Sequence, residues 1–194
     1  KPVFTFHITH MMPLSTYGHV LILGALIGLM GVLYNTCIGK SQDLYGMIPR
    51  QFVRILIPFL MAGAFGFLYP AVLGGGHSLV EELTAGELML GGLFLLFALK
   101  FAFSMISFGS GAPGGIFLPL LVLGAIIGSI YYNLASAVSP DISGLLSNFI
   151  ILGMAGYFSA IVRAPITGII LISEMTGSFS HLLTLSMVLS LIHI

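Results

Sequence analysis

Apolar residues run along this chain in helix-length blocks, and the polar residues collect in short breaks between them. Residues 18–39 form the first block. At about 1.5 Å per residue it is long enough to span a hydrocarbon slab of roughly 30 Å. Residues 51–68 form a second, with Pro58 inside it as a source of a kink. Residues 87–107 form a third, carrying Lys100, and 116–138 a fourth. Two further blocks, 145–161 and 165–175, are separated by VRAPITG at 162–168. The second of these is too short to cross a bilayer. Such broken segments are held inside protein as re-entrant half-helices rather than against lipid. A last apolar run covers 180–194. Period-2 alternation is not seen, which argues against a membrane β-barrel. The pattern predicts an all-α polytopic membrane protein with tilted and re-entrant helices.

The breaks complete this picture. Residues 1–17, with Pro2 and Pro13, read as a linker. The charge-dense loop is 40–54, with Lys40, Asp43, Arg50 and Arg54, and its basic residues favour the cytoplasmic side. YPAVLGGGHS at 69–78 is a turn, followed by a short helix over 79–83 with Glu81 and Glu82. Residues 139–144 form a loop around Pro140 and Asp141. Glycine pairs four apart, Gly24/Gly28 and Gly124/Gly128, predict close helix packing.

Composition sharpens the class. The chain is 58% hydrophobic and 6% charged, with mean hydropathy +1.13, against about 25% charged residues in soluble domains. Net charge is zero and the six Lys and Arg are scattered, so no nucleic-acid partner is expected. Cys37 stands alone, which precludes an internal disulfide. Lys1 is no initiator, and LSMVLSLIHI stops within an apolar run. Both features predict a piece of a longer protein.

The chemistry concentrates in SFGSGAPGGIFLPLLVLGAIIG, residues 107–128. Gly109, Gly111, Pro113, Gly114, Gly115 and Pro119 crowd the start of an apolar helix. With Gly115 as N-cap, the helix opens with Ile116, Phe117, Leu118 and Pro119. The first amides of a helix lack an intrahelical acceptor. Pro119 has no amide, so Ile116, Phe117 and Leu118 supply the free donors at the positive end of the helix dipole. Gly114 and Gly115 let another group approach the backbone closely. The arrangement suits an anion. One helix end contributes about 0.3–1 kcal/mol, up to ~2 when partly buried. Desolvating an ion costs several kcal/mol, so other groups must converge there. No Lys or Arg falls between Ser104 and Tyr132, and partial charges suit an ion in transit better than one held tightly. On physics alone, a plain loop between packed helices accounts for the stretch equally well.

GSGAPGGIFLPLLVLGAIIG resembles the motif opening helix N of the CLC chloride channel and chloride/proton antiporter family. LGGGHSLVEEL resembles that family's glycine turn and helix L, and ILGMAGYFSAIVRAPITGIILISEMTG its helices O and P. The order and spacing of all three agree. The resemblance runs from helix J near Gly18 to helix Q near Ile194. It implies half of an inverted-repeat CLC fold, with residues 1–194 as the second half of the membrane domain, without its last helix. It implies chloride transport, as a voltage-gated-type channel or a chloride/proton antiporter. The backbone amides of Ile116 and Phe117 would meet the central chloride, with Gly114, Gly115, Pro119, Gly111 and Pro113 shaping the helix start. The partners implied are chloride, membrane lipid, a second copy in a homodimer whose interface uses the last helices, and the missing N-terminal half. The cell (inner) membrane is the expected location. No cofactor beyond a bound chloride and no metal are expected. The family's first-half serine motif and its Gly-Arg/Lys-Glu-Gly-Pro gating motif do not occur in this chain. Channel or antiporter, and chloride or fluoride, therefore stay open.

Other residues have plainer readings. Glu174 suits a capping or packing role, Arg163 the carbonyls at the break between two short helices, and Lys100 a snorkelling or paired position. His7 and His10 lack further ligands for a metal. Tyr131 and Tyr132 suit an interface belt. An intramembrane serine protease would need Ser110 to meet His181 or His193. A non-transporting membrane scaffold is the remaining alternative.

Overall fold

The computed structural model describes residues 12–74, 76–176 and 186. Among them the secondary structure is helical, with no strand. The helices are α1 (Tyr17–Gly46), α2 (Gln51–Leu68), α3 (His77–Ala85), α4 (Leu90–Gly109), α5 (Phe117–Ser136), α6 (Leu146–Val162) and α7 (Pro165–Thr176). Short 3-10 turns lie at Leu14–Thr16, Pro70–Val72 and Pro140–Ile142. Four described segments are long and apolar enough to cross a membrane: Leu14–Gly46, Gln51–Leu68, Leu90–Gly109 and Phe117–Ser136. Residues 1–11 and most of the last apolar run, with His7, His10, His181 and His193, lie outside the described residues.

The expected loop at 40–54 is mostly helix. α1 continues through Lys40, Ser41, Gln42 and Asp43 to Gly46. Charged residues and a single glycine do not stop a helix; Pro49 does, by restricting the residue before it. The Ser41 hydroxyl donates to the Met105 carbonyl at 2.8 Å, fastening the added turns to α4. Arg54 closes the short connection, donating to the carbonyls of Ile48 at 2.7 Å and Gly46 at 3.2 Å.

The centre is the pair α5 and α6. Residues 120–131 of α5 and 148–159 of α6 are buried without interruption. Only glycine lets these backbones come so close. A Cβ at Gly124 would lie 2.8 Å from the Gly153 carbonyl carbon, and one at Gly128 would meet the Phe149 carbonyl group at a similar distance. Gly124 and Gly128, one of the two pairs that predict close packing, thus meet a third glycine, Gly153. α1 covers α6, where Gly31 faces the Ala160 methyl. The Tyr34 and Ser104 hydroxyls are bonded at 2.7 Å, and the Tyr34 ring stands edge-on to Phe101 and Tyr157. This ties α1, α4 and α6 together. α6 is thus packed inside protein, as its short apolar block predicts. α2, by contrast, buries little beyond Pro58 and presents Phe59, Leu60 and Phe67 outward.

Between α6 and α7, Arg163 adopts a left-handed conformation, φ 58° and ψ 36°. Pro165 opens α7 and disfavours a helical Ala164, so the chain reverses one residue earlier. Arg163 itself is exposed. The carbonyl of Ile161 is bonded not by Arg163 but by the Asn35 amide at 3.4 Å. Glu174 is exposed on α7 rather than packed. Left-handed backbone is unfavourable for a residue with a Cβ, by about 1–2 kcal/mol, and glycine relieves it at some entropic cost. Arg163→Gly therefore raises the melting temperature of the detergent-solubilised intact protein, by the equivalent of about 0.5–1 kcal/mol. A lowered melting temperature would show that the guanidinium itself holds the break.

Candidate anion site

α4 ends in a tight turn made by its own last residues. The Ser110 hydroxyl donates to the Ser107 carbonyl at 2.7 Å and accepts from the Ala112 amide at 3.2 Å. Gly111 turns the chain with φ 74°, and its amide donates to the Phe108 carbonyl at 3.4 Å. Ser110 is thus a turn residue with its hydroxyl engaged. Its proposed histidine partners lie outside the described residues.

The chain then runs without regular structure to α5. The N-cap is Ile116, one residue later than the sequence predicts. Pro119 is the reason. Having no N–H, it cannot close the first helical bond onto Gly115. That bond is made instead by the Leu120 amide to the Ile116 carbonyl, at 3.2 Å. Pro119 thereby occupies the third helical position, where no donor is needed. No side chain among the described residues caps this end. The amides of Ile116, Phe117 and Leu118 meet no protein acceptor among the described residues. Beside them Gly114 and Gly115 are exposed, with nothing within 4 Å of where a Cβ would stand.

A cavity of about 400 Å³ opens at this helix start. Gly114, Gly115, Leu118 and Pro119 form one wall; Lys100, Ser104 and Ser107 of α4 form another, and Val72 and Gly74 of the turn after α2 close it. A smaller cavity of about 210 Å³ adjoins it and takes in Pro113, Gly114 and Ser107 together with Pro58 and Phe59 of α2. The expected site residues therefore separate by position. Gly114, Gly115 and Pro119 border the main cavity, and Pro113 its neighbour. Ile116 and Phe117 carry free amides, and the Phe117 ring packs edge-on against Phe158 of α6 at 5.2 Å. Gly111 belongs to the turn that ends α4.

Lys100 is the residue that the sequence places least well. It neither snorkels to a surface nor pairs with an acid among the described residues. It is 2% exposed, and its ammonium donates to the Val72 carbonyl at 3.1 Å. The stretch from Ser104 to Tyr132 is indeed free of Lys and Arg, yet folding brings a lysine from just before it to the cavity. The signal was present as spacing. Lys100, Ser104 and Ser107 stand at i, i+4 and i+7, one face of a helix.

Comparison with known proteins agrees with this architecture. The family described as voltage gated chloride channel matches residues 1–192. The H(+)/Cl(-) exchange transporter ClcA of Vibrio cholerae is 42% identical over 177 residues, covering 89% of this chain and 38% of that protein. ClcA of Yersinia pestis is 36% identical over 176 residues, covering 88% and 37%. Among solved structures, a slow cyanobacterial Cl-/H+ antiporter superposes with TM-score 0.86 at 28% identity, covering 98% of this chain and 45% of that one. A CLC-type fluoride/proton antiporter shares the fold, with TM-score 0.77 at 18% identity, covering 98% and 46%. The chain thus spans less than half the length of the relatives it matches. The helix order, the glycine-led start of α5 and these matches lead to one assignment: the chain belongs to the voltage-gated chloride channel (CLC) family.

Proposed function

We propose that residues 1–194 form the second half of the membrane domain of a chloride/proton exchanger, and that they supply one helix end to its chloride site. The observation that carries this reading is the set of three amides, on Ile116, Phe117 and Leu118, without an acceptor among the described residues and beside a cavity. A halide accepts hydrogen bonds from such a cluster and gains from the helix dipole. One terminus contributes only ~2 kcal/mol at best. Ion desolvation costs several kcal/mol, so donors from the rest of the protein must complete the site. Chloride is favoured as the ion because the relatives at 36–42% identity are named as chloride exchangers. Exchange with protons rather than passive conduction is favoured on the same ground. The complete protein is proposed to work as a homodimer in the cell (inner) membrane, surrounded by lipid and needing no cofactor.

Reconstituting the intact protein into liposomes under a chloride gradient tests this. Chloride efflux is expected to drive proton uptake against a pH gradient. Chloride movement with no linked proton flux would make the protein a channel. Vesicles that retain chloride as protein-free ones do would overturn the reading.

A further inference from the structure

We propose that Lys100 is the fixed positive charge that draws a small monovalent anion into the cavity before α5 and sets its affinity there. The inference rests on the reading of α5 as an anion site and adds to it a residue on a different helix. Lys100 is 2% exposed in the middle of an otherwise uncharged α4. An ammonium has three donors. One is spent on the Val72 carbonyl at 3.1 Å, which is neutral and cancels no charge. No carboxylate reaches Lys100 among the described residues. Burying a charge without a counter-charge is costly. Lys100 also borders the same cavity as Gly114 and Gly115. An anion in that cavity would supply the missing counter-charge. Ser104 and Ser107, on the same face of α4, add hydroxyls to the lining. Lys100 thus acts through its field, while the α5 amides make the directional bonds. A mobile ion compensates a fixed charge without being held as a permanent salt bridge.

A purely structural alternative has Lys100 pinning the turn through Val72, and glutamine separates the two. Lys100→Gln keeps an N–H donor and removes the charge; Lys100→Arg keeps the charge. Chloride binding to the intact purified protein, measured by calorimetry, is expected to weaken at least tenfold in Lys100→Gln, equivalent to about 1.4 kcal/mol. Lys100→Arg is expected to stay within threefold of wild type. Ser107→Asp places a carboxylate on the same cavity and is expected to abolish the chloride-dependent rise in melting temperature. This second variant decides the matter if Lys100→Gln does not fold. Wild-type affinity in folded Lys100→Gln, or an unchanged chloride-dependent rise in Ser107→Asp, would overturn the proposal. Reduced stability in Lys100→Gln with unchanged chloride affinity would also overturn it, by leaving Lys100 a structural role alone. Wild-type protein that binds no chloride would instead sink the underlying reading of α5.

Discussion

Chloride affinity of the intact protein is expected to fall at least tenfold when Ile116 is replaced by proline, whereas Ile116→Ala is expected to leave it within about twofold. Proline deletes one backbone donor, and this is a position that can accept it. Ile116 has φ −80°, within the range of the proline ring, about −65 ± 15°. Its amide meets no acceptor among the described residues, so no helical bond is lost. Its carbonyl still receives the Leu120 amide. The preceding residue is Gly115, outside the helix, and the restriction that proline imposes on its predecessor is mild there. On the proposed reading, what would disappear is one hydrogen bond to an ion. Bonds to charged groups contribute about 1.5–3 kcal/mol, which at 1.4 kcal/mol per factor of ten is a loss of roughly ten- to a hundredfold. The alanine variant removes the same side chain but keeps the amide, so it isolates the backbone effect. Calorimetric titration of both variants, with melting temperatures to verify the fold, checks the expectation. Wild-type affinity in a folded Ile116→Pro protein would remove this amide from the site.

The parts legible in the sequence are those written in local pattern. The second apolar block, 51–68, matches α2 because its ends coincide with a proline-led loop and a Tyr-Pro turn. The glycines at the start of α5 are legible because unpaired helix donors follow from backbone geometry alone. The cap position is nearly so: the absent N–H of Pro119 moves it from Gly115 to Ile116. Other features depend on partners distant in sequence. The extension of α1 is held by a bond from Ser41 to Met105. The carbonyl at the end of α6 takes its donor from Asn35 on α1. Gly124 and Gly128 announce a close contact, but nothing local identifies Gly153 as the backbone they meet. Lys100 reaches the cavity because α4 and α5 pack side by side across the intervening turn. Scanning the motif for basic residues misses it, since proximity in the fold is not proximity along the chain. The family resemblance, not physics alone, is what favours reading the helix end as an ion site rather than a loop, and that reading is the one proposed above.

Alanine at Gly124 or at Gly153 destabilises the intact protein by about 3 kcal/mol or more, and leucine at either position prevents folding. Overpacking a core usually costs about 1–3 kcal/mol, and this site falls at or beyond the upper end because what lies in the way is backbone. The first atoms of a new side chain at Gly124 would stand 2.8 Å from the Gly153 carbonyl carbon and 2.9 Å from the Met154 Cα. Carbon atoms prefer about 3.5–4.0 Å. No rotamer relieves such a contact, so α5 and α6 must move apart. Both helices are buried along the whole contact, residues 120–131 and 148–159. Separation therefore forfeits dispersion over their full shared length rather than at one point. Gly39→Ala is the matched control. It lies within α1 with nothing within 4 Å of a new Cβ, and helix propensity there favours alanine by about 0.8–1 kcal/mol. Thermal unfolding in detergent should lower the melting temperature of Gly124→Ala and Gly153→Ala and raise or preserve that of Gly39→Ala. The effect should extend to function. The start of α5 is seated against α6 by the Phe117–Phe158 contact, so a displaced α5 carries its free amides away from the positions that an ion would use. Chloride affinity in Gly124→Ala should therefore fall together with stability. A Gly124→Ala protein that melts and binds chloride like wild type would mean that the two backbones do not approach as closely as these distances require.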